Sequence, residues 1–154
     1  MGRGKNNRLT IFSWGYWGWG TAAEKFLAAA DKAEKTRGFN GPIFVDIRFR
    51  RTVRANAFKG DKFEKIVGKD RYVWMNSLGN ANIAQHGPIK IADPKAAGTL
   101  LDQAVEAKKY NRRIIFFCAC QDPSHCHRAI VADLLIKEAS RRNLPVEVIE
   151  WPGG

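Results

Sequence analysis

Acidic residues are scarce in this 154-residue chain: 15 Asp+Glu stand against 26 Lys+Arg and leave a formal charge of +11, with a sequence pI near 9.9. The imbalance bears on partners and not on fold, and it points to phosphate-bearing ligands, nucleic acid or another anionic surface. Cysteine is scarce too. The three present are an odd number crowded at one place, which excludes a disulfide framework, and Cys118 and Cys120 lie too close along one strand face for easy bridging. A reducing, cytoplasmic setting is expected. The apolar run after the basic segment Met1 to Arg8 is broken by Gly15, Gly18 and Gly20 and precedes no cleavage site, so neither a signal peptide nor a membrane span is expected. Gly2 opens no myristoylation motif, because Asn6 stands where Ser or Thr is needed. Repeats, linkers and low-complexity segments are missing, as are G-x-G-x-x-G and a Walker loop, which removes the two commonest phosphate-cradling motifs.

What is there is an ordinary globular mixture, 45% apolar and 27% charged, long enough for one domain with its own core. Apolar runs predict strands over Leu9 to Trp14, Ile43 to Phe49, Tyr72 to Leu78, Ile114 to Cys118 and Val146 to Trp151. Thr21-Ala-Ala-Glu24 reads as a capping box opening a helix that stops at Gly38. A short helix is expected over Phe63 to Val67. Asp93-Pro94 pairs an N-cap with a first-turn proline, and Ala97, Leu100, Leu101, Ala104 and Val105 repeat at helical spacing after it. A last helix is expected from Pro123 to Arg142, with Ile130, Val131, Leu134 and Leu135 facing the core.

Strand and helix in alternation predict a three-layer, Rossmann-like α/β domain with a mostly parallel sheet of about five strands. In such sheets the ligand crevice lies beyond the carboxyl ends of the strands. Ser13 to Gly20, Asp46 to Arg54, Asn76 to Asn82 and Cys118 to Arg128 all leave those ends, so four unusual segments are expected to meet in one crevice.

The densest chemistry is Cys118-Ala-Cys-Gln-Asp-Pro-Ser-His-Cys-His-Arg128. With Asp122-Pro123 as N-cap and first helical residue, Cys126, His127 and Arg128 fall in the first turns, where backbone N–H groups and the helix dipole favour a thiolate or a bound phosphate. Cys126 is then expected to be partly accessible, with a titration mid-point below the ~8.5 of an ordinary thiol. A second reading is a metal site from Cys118, Cys120, Cys126 and His125 or His127, although C-x-C-x5-C-H lacks the zinc knuckle spacing. A third makes Cys118 a small buried hydrophobe and His127 a hydrogen-bonding core residue. The stretch differs from the loops of cysteine phosphatases and rhodaneses, because Arg128 lies eight residues after Cys120.

On the second strand, Asp46 and Arg48 are two apart and share a face, so the carboxylate can orient the guanidinium or stand beside a ligand. Arg50, Arg51 and Arg54 add charge on the outgoing loop, the last two reading best as solvated, and guanidinium groups bind phosphate bidentately. In Trp14-Gly-Tyr-Trp-Gly-Trp-Gly20, rings at Trp14, Trp17 and Trp19 on a glycine-rich loop can stack on bases or fold back as a hydrophobic lid.

These features together resemble the bacterial and archaeal family named domain of unknown function 488: a Ser-containing loop after the first strand, Val45-Asp-Ile-Arg48, Leu78-Gly79, and above all Cys118 with Pro123 and Cys126-His127-Arg128. The tryptophan-rich loop and the extra Cys120 depart from the family pattern. The resemblance implies a compact α/β domain with a polar site at this edge and no particular reaction. The residues themselves suggest an enzyme acting on a nucleotide, nucleic acid or other phosphate-bearing substrate. Cys126, or else Cys118, serves as thiolate, Asp46 or His127 moves a proton, and Arg48, Arg128 and Arg50 hold anionic oxygen. The alternative is a non-catalytic module that binds nucleic acid or another anion through its charge and its Trp loop. No cofactor and no oligomeric state is indicated.

Overall fold

The computed structural model describes residues 8–19, 21–53, 55–82, 87–119 and 126–153. Five strands, β1 (Leu9–Gly15), β2 (Ile43–Asp46), β3 (Tyr72–Trp74), β4 (Ile114–Cys118) and β5 (Val146–Glu150), form one all-parallel sheet in the order β3-β2-β4-β1-β5. Four α-helices accompany them among the described residues: α1 (Ala23–Thr36), α2 (Lys62–Val67), α3 (Ala96–Lys108) and α4 (His127–Arg141). The architecture is the expected α/β one. No helix among the described residues is long and apolar enough to cross a membrane.

Successive side chains of a strand point to opposite faces, and here the two faces differ in chemistry. Ile11, Val45, Ile114 and Phe116 pack with Leu100, Leu101, Val131 and Leu135 of α3 and α4 in a largely aliphatic core. Phe12, Trp14, Phe44, Ile115 and Phe117 pack with Phe26 of α1 and Phe63 of α2 in a largely aromatic one. The central strand β4 is buried along its whole length, as its unbroken apolar run requires.

Several local expectations need correction. Helix α1 starts with Ala22 as N-cap and no side-chain cap, because the turn Ala22 N–H to Trp19 carbonyl (2.9 Å) feeds the chain in one residue after Thr21. Its other end is as expected, with Gly38 at a φ of +91°, a left-handed conformation natural to glycine. Strand β2 ends at Asp46 and β3 at Trp74, followed by a 3-10 turn over Asn76–Leu78. Asp93 closes a turn onto the Lys95 amide (3.1 Å) just before α3 instead of heading the helix. Val105 is 38% exposed and Ile130 37%, since α3 buries Ala97, Leu100, Leu101, Ala104 and Ala107 and α4 buries His127, Arg128, Val131, Leu135 and Ala139, stripes that leave these two residues to one side. The expected start of that helix at Asp122-Pro123 lies outside the described residues.

The chain leaves β1 towards β2 on one side of the sheet, and leaves neighbouring β4 towards β5 on the other. Such a divergence opens a crevice between the two loops at the carboxyl edge. A hydrogen bond from the Tyr16 amide to the Cys118 carbonyl (3.0 Å) ties the two loops at that point.

Candidate functional site

The four segments do reach one edge, but the strand pleat divides them between its two faces. On the aromatic face, Asp46 is wholly buried. Its Oδ1 accepts from the Arg48 amide (3.0 Å) and Arg48 Nε (2.8 Å), and its Oδ2 from Arg48 Nη2 (2.5 Å) and the Tyr72 hydroxyl (2.5 Å). Arg48 Nη1 donates to the Phe58 carbonyl (2.7 Å) and the Tyr16 hydroxyl (3.2 Å). Burial opposes the Arg48 charge, yet the bonds and charge of Asp46 outweigh it and hold the guanidinium firmly protonated. Burial, reinforced by the Asp46 charge, pushes the Tyr72 phenol up, and burial does the same to Tyr16 against the opposing pull of Arg48.

This network corrects the roles expected of Asp46 and Arg48. All three guanidinium nitrogens of Arg48 already serve protein acceptors, and the group is only 5% exposed, so it does not reach out to an anion. Asp46 is an acceptor for four donors and not a carboxylate awaiting a substrate proton. Arg51, expected to be solvated, instead pairs with Glu64 (3.1 Å) and lies 4.2 Å from the Trp74 ring centroid. Arg50 is exposed. Arg54 lies outside the described residues.

The tryptophans separate in the same way. Trp14 is 4% exposed and stacks flat on Phe26 with centroids 3.4 Å apart, so it has no face to offer a base. Trp19 is half-buried and set edge-on to Trp14 and Phe26. Only Trp17 of the three, at 68% exposure, stands where a ligand could stack. Tyr16, which the sequence reading passed over, turns inward instead and stacks on Phe58 with centroids 3.9 Å apart.

The opposite face carries the thiols. Cys118 ends β4, and Cys126 is the N-cap of α4 in an extended conformation, with no side-chain cap for the helix. Their sulfur atoms lie 2.7 Å apart and are not joined by a disulfide. Nδ1 of His127 faces Cys126 Sγ at 3.6 Å, and its Nε2 contacts the Ile47 carbonyl oxygen at 2.7 Å. A carbonyl only accepts, so Nε2 carries a proton, and the ring is held with Nδ1 turned towards the thiol. Arg128, wholly buried, donates from Nη1 to Ser13 Oγ (3.1 Å) and Glu150 Oε1 (2.6 Å). Burial works against its charge, but the bond to Glu150 and the nearby Cys118, Glu150 and Cys126 prevail and raise its pKa. Ser13 and Glu150 are therefore part of the site, Glu150 through a pairing that no local motif announces.

Cys126 is 3% exposed and Cys118 1%. The partial accessibility expected of Cys126 is not found, because it packs into the aliphatic core with Cys118. Cys120 and His125 lie outside the described residues. Ligand atoms of Cys118, Cys126 and His127 fall within 4.8 Å of one another, and a Nε2–H held by a carbonyl is the usual support for a metal-bound imidazole. The sulfurs argue the other way: two thiolates on one tetrahedral zinc, each ~2.3 Å from it, stand roughly 3.7 Å apart, about 1 Å more than the 2.7 Å found here.

Two hollows among the described residues lie elsewhere. One of about 630 Å³ is lined by Ile43, Asp70, Val73, Glu106, Tyr110 and Arg112. Another, of about 400 Å³ near the amino ends of the strands, gathers Arg8, Lys108, Arg112 and Arg113. Comparison with protein-family models, curated proteins and solved structures gives no match.

Proposed function

We propose that the protein is a thiol-dependent enzyme acting on a phosphate-bearing substrate, a nucleotide or nucleic acid among them, with Cys126 as thiolate and His127 as its base. The observation that supports this reading best is the His127 ring, fixed through Nε2–H on the Ile47 carbonyl so that Nδ1 faces Cys126 Sγ at 3.6 Å. A nucleophile, a base in reach and a third group orienting the base are the parts that nucleophilic catalysis requires. The thiol proton passes to Nδ1 and the sulfur bonds to the substrate's electrophilic centre. The bond to the leaving oxygen then breaks, and the imidazolium returns the proton to that oxygen. A water that gives its proton to Nδ1 next attacks the sulfur-bound centre, the bond to sulfur breaks, and the thiol is restored. Arg128 beside both sulfurs and the start of α4 favour negative charge here. Of the expected anion-holding groups Arg128 is kept, but it is as buried as Arg48 and paired with Glu150, so in this reading the first-turn amides of α4 hold the anion and Arg128 joins them once the crevice opens. The resemblance to the domain of unknown function 488 family rests on the same Cys-His-Arg residues and agrees with a site at this edge.

Because Cys126 is buried, the reading requires the crevice to open when a substrate enters. Iodoacetamide, smaller than any nucleotide, tests that first, and a panel of phosphomonoesters, phosphodiesters and short oligonucleotides tests the chemistry. Cys126→Ser and His127→Gln are expected to remove turnover by 10²-fold or more with the fold retained. Turnover that survives both substitutions sinks the reading.

The non-catalytic alternative is favoured by one observation, the cationic hollow of Arg8, Lys108, Arg112 and Arg113 at the far edge of the sheet. In that case oligonucleotide affinity falls steeply with salt and with Lys108→Ala, and is indifferent to Cys126 and His127.

A further inference from the structure

The function proposed above leaves Cys118 without a task, yet its sulfur stands against that of Cys126. Their sulfurs are 2.7 Å apart, well inside the ~3.5–4.0 Å of nonbonded contact between the smaller carbon atoms and about 0.7 Å beyond a disulfide bond. From this geometry we infer that Cys118 and Cys126 form a site of reversible oxidative modification, closing to a disulfide when a hydroperoxide of the size of hydrogen peroxide reaches them.

Three features of the site support the assignment. The pair is held by rigid elements, the end of the central strand and the first position of α4, so the sulfurs already face each other before any oxidant arrives. The Nδ1 of His127 faces Cys126 Sγ at 3.6 Å and the Arg128 charge acts on both sulfurs, a base and a cation next to the group that must react with peroxide as thiolate. At 1% and 3% exposure the thiols are screened from bulky disulfides such as oxidised glutathione, so the oxidant assigned to them is one little larger than water.

The chemistry balances with the peroxide as sole oxidant. The Cys126 thiolate attacks one peroxide oxygen and the O–O bond breaks. Sulfur becomes a sulfenic acid, and hydroxide takes a proton and leaves as water. Cys118 sulfur then attacks the Cys126 sulfur, the S–O bond breaks, and the Cys118 proton leaves with the hydroxyl as a second water. Two thiols are oxidised by two electrons and one peroxide is reduced to two waters. A thiol reductant reverses the change by exchange. With Cys118 beside it, the sulfenic acid is consumed before further peroxide takes it to the irreversible sulfinic acid.

The test uses the full chain, reduced, desalted and exposed to a few equivalents of hydrogen peroxide, then unfolded in N-ethylmaleimide. Of the three thiols, the oxidised protein is expected to label one and the reduced protein all three. The unlabelled mass falls by about 2 Da, dithiothreitol reverses the change, and peptide mapping places the link between Cys118 and Cys126. Cys120→Ser keeps the link. Cys118→Ser, shown to be folded by circular dichroism, instead gives a species about 16 Da heavier that dimedone traps at Cys126. Three labelled thiols after peroxide, a link through Cys120, or a metal ion seen by native mass spectrometry that shields the thiols from oxidation overturns the assignment. The enzyme reading is judged separately on reduced protein: an inactive protein that forms the link removes only that reading, and an active one that never forms it removes only this one.

Discussion

Asp46→Asn is the change that tests most directly whether the carboxyl edge is held by a buried ion pair. The carboxylate accepts four hydrogen bonds, three from Arg48 and one from Tyr72, and both it and Arg48 are buried. The amide has nearly the same shape, but it removes the charge and turns an –NH₂ towards groups that themselves donate. Arg48 is left as a buried cation with its partner gone, a situation that costs about 3–5 kcal/mol, a large part of the ~5–15 kcal/mol by which a domain is stable. At roughly 2 kcal/mol per molar urea, the midpoint followed by circular dichroism should fall by about 1.5–2.5 M. Asp46→Asn with Arg48→Met removes the stranded charge as well and should recover at least ~1 kcal/mol of the loss, since replacing both members of a buried pair is far milder than removing one. A midpoint shift below about 0.5 M for the single change, or a double variant weaker than the single one, refutes the reasoning and returns Asp46 to the list of groups free to serve a substrate.

Trp14→Ala, which empties a stacked position in the aromatic core, should cost about 3–5 kcal/mol, whereas Trp17→Ala at an exposed site should stay within about 0.5 kcal/mol; equal losses in urea titrations contradict the placement of the two rings. Tyr16 and Tyr72 are both raised above the ordinary phenol value, chiefly by burial. The folded state therefore holds their protons above pH ~10 when the unfolded chain has released them, and this contribution to stability, full below about 10, is lost as pH rises beyond it. Absorbance at 295 nm should show fewer than three phenols titrating until the fold gives way, and a full three-phenol titration in native protein contradicts it.

Most of the architecture was legible because parallel strands buried on both faces write themselves as unbroken apolar runs, and Ile114 to Cys118 is the clearest of them. Helix ends were less legible. Thr21 and Asp122 carry the right side chains for a cap, but where a helix begins depends on the turn that delivers the chain to it, as the Trp19–Ala22 turn does at α1. The aromatic loop was the least legible part. Tryptophans separated by glycines read alike whether they face solvent or the core. What decides for Trp14 is Phe26, which β1 and α1 bring beneath it and which no local pattern connects to it.

The division of the site into two faces has a definite structural cause. Asp46 and Arg48 were rightly placed on one face by their spacing, and Cys118 was rightly placed at the same edge, but whether the two face the same way depends on the register between β2 and β4. Asp46 stands opposite Phe117, so the pleat puts Asp46 and Phe117 on the aromatic side and Cys118, one residue on, on the aliphatic side. A slip of one residue would have brought the carboxylate and the thiol together. Register is a property of two segments about seventy residues apart and leaves no trace in either alone. The backbone does bridge the faces: His127 takes its orientation from the carbonyl of Ile47, the residue between Asp46 and Arg48. The buried ion pair thus sits one peptide unit on either side of the group that aims Nδ1 at Cys126. Loosening it by Asp46→Asn should disturb His127 as well as stability, and a chemical-shift change at the His127 ring in that variant is the direct sign of the coupling.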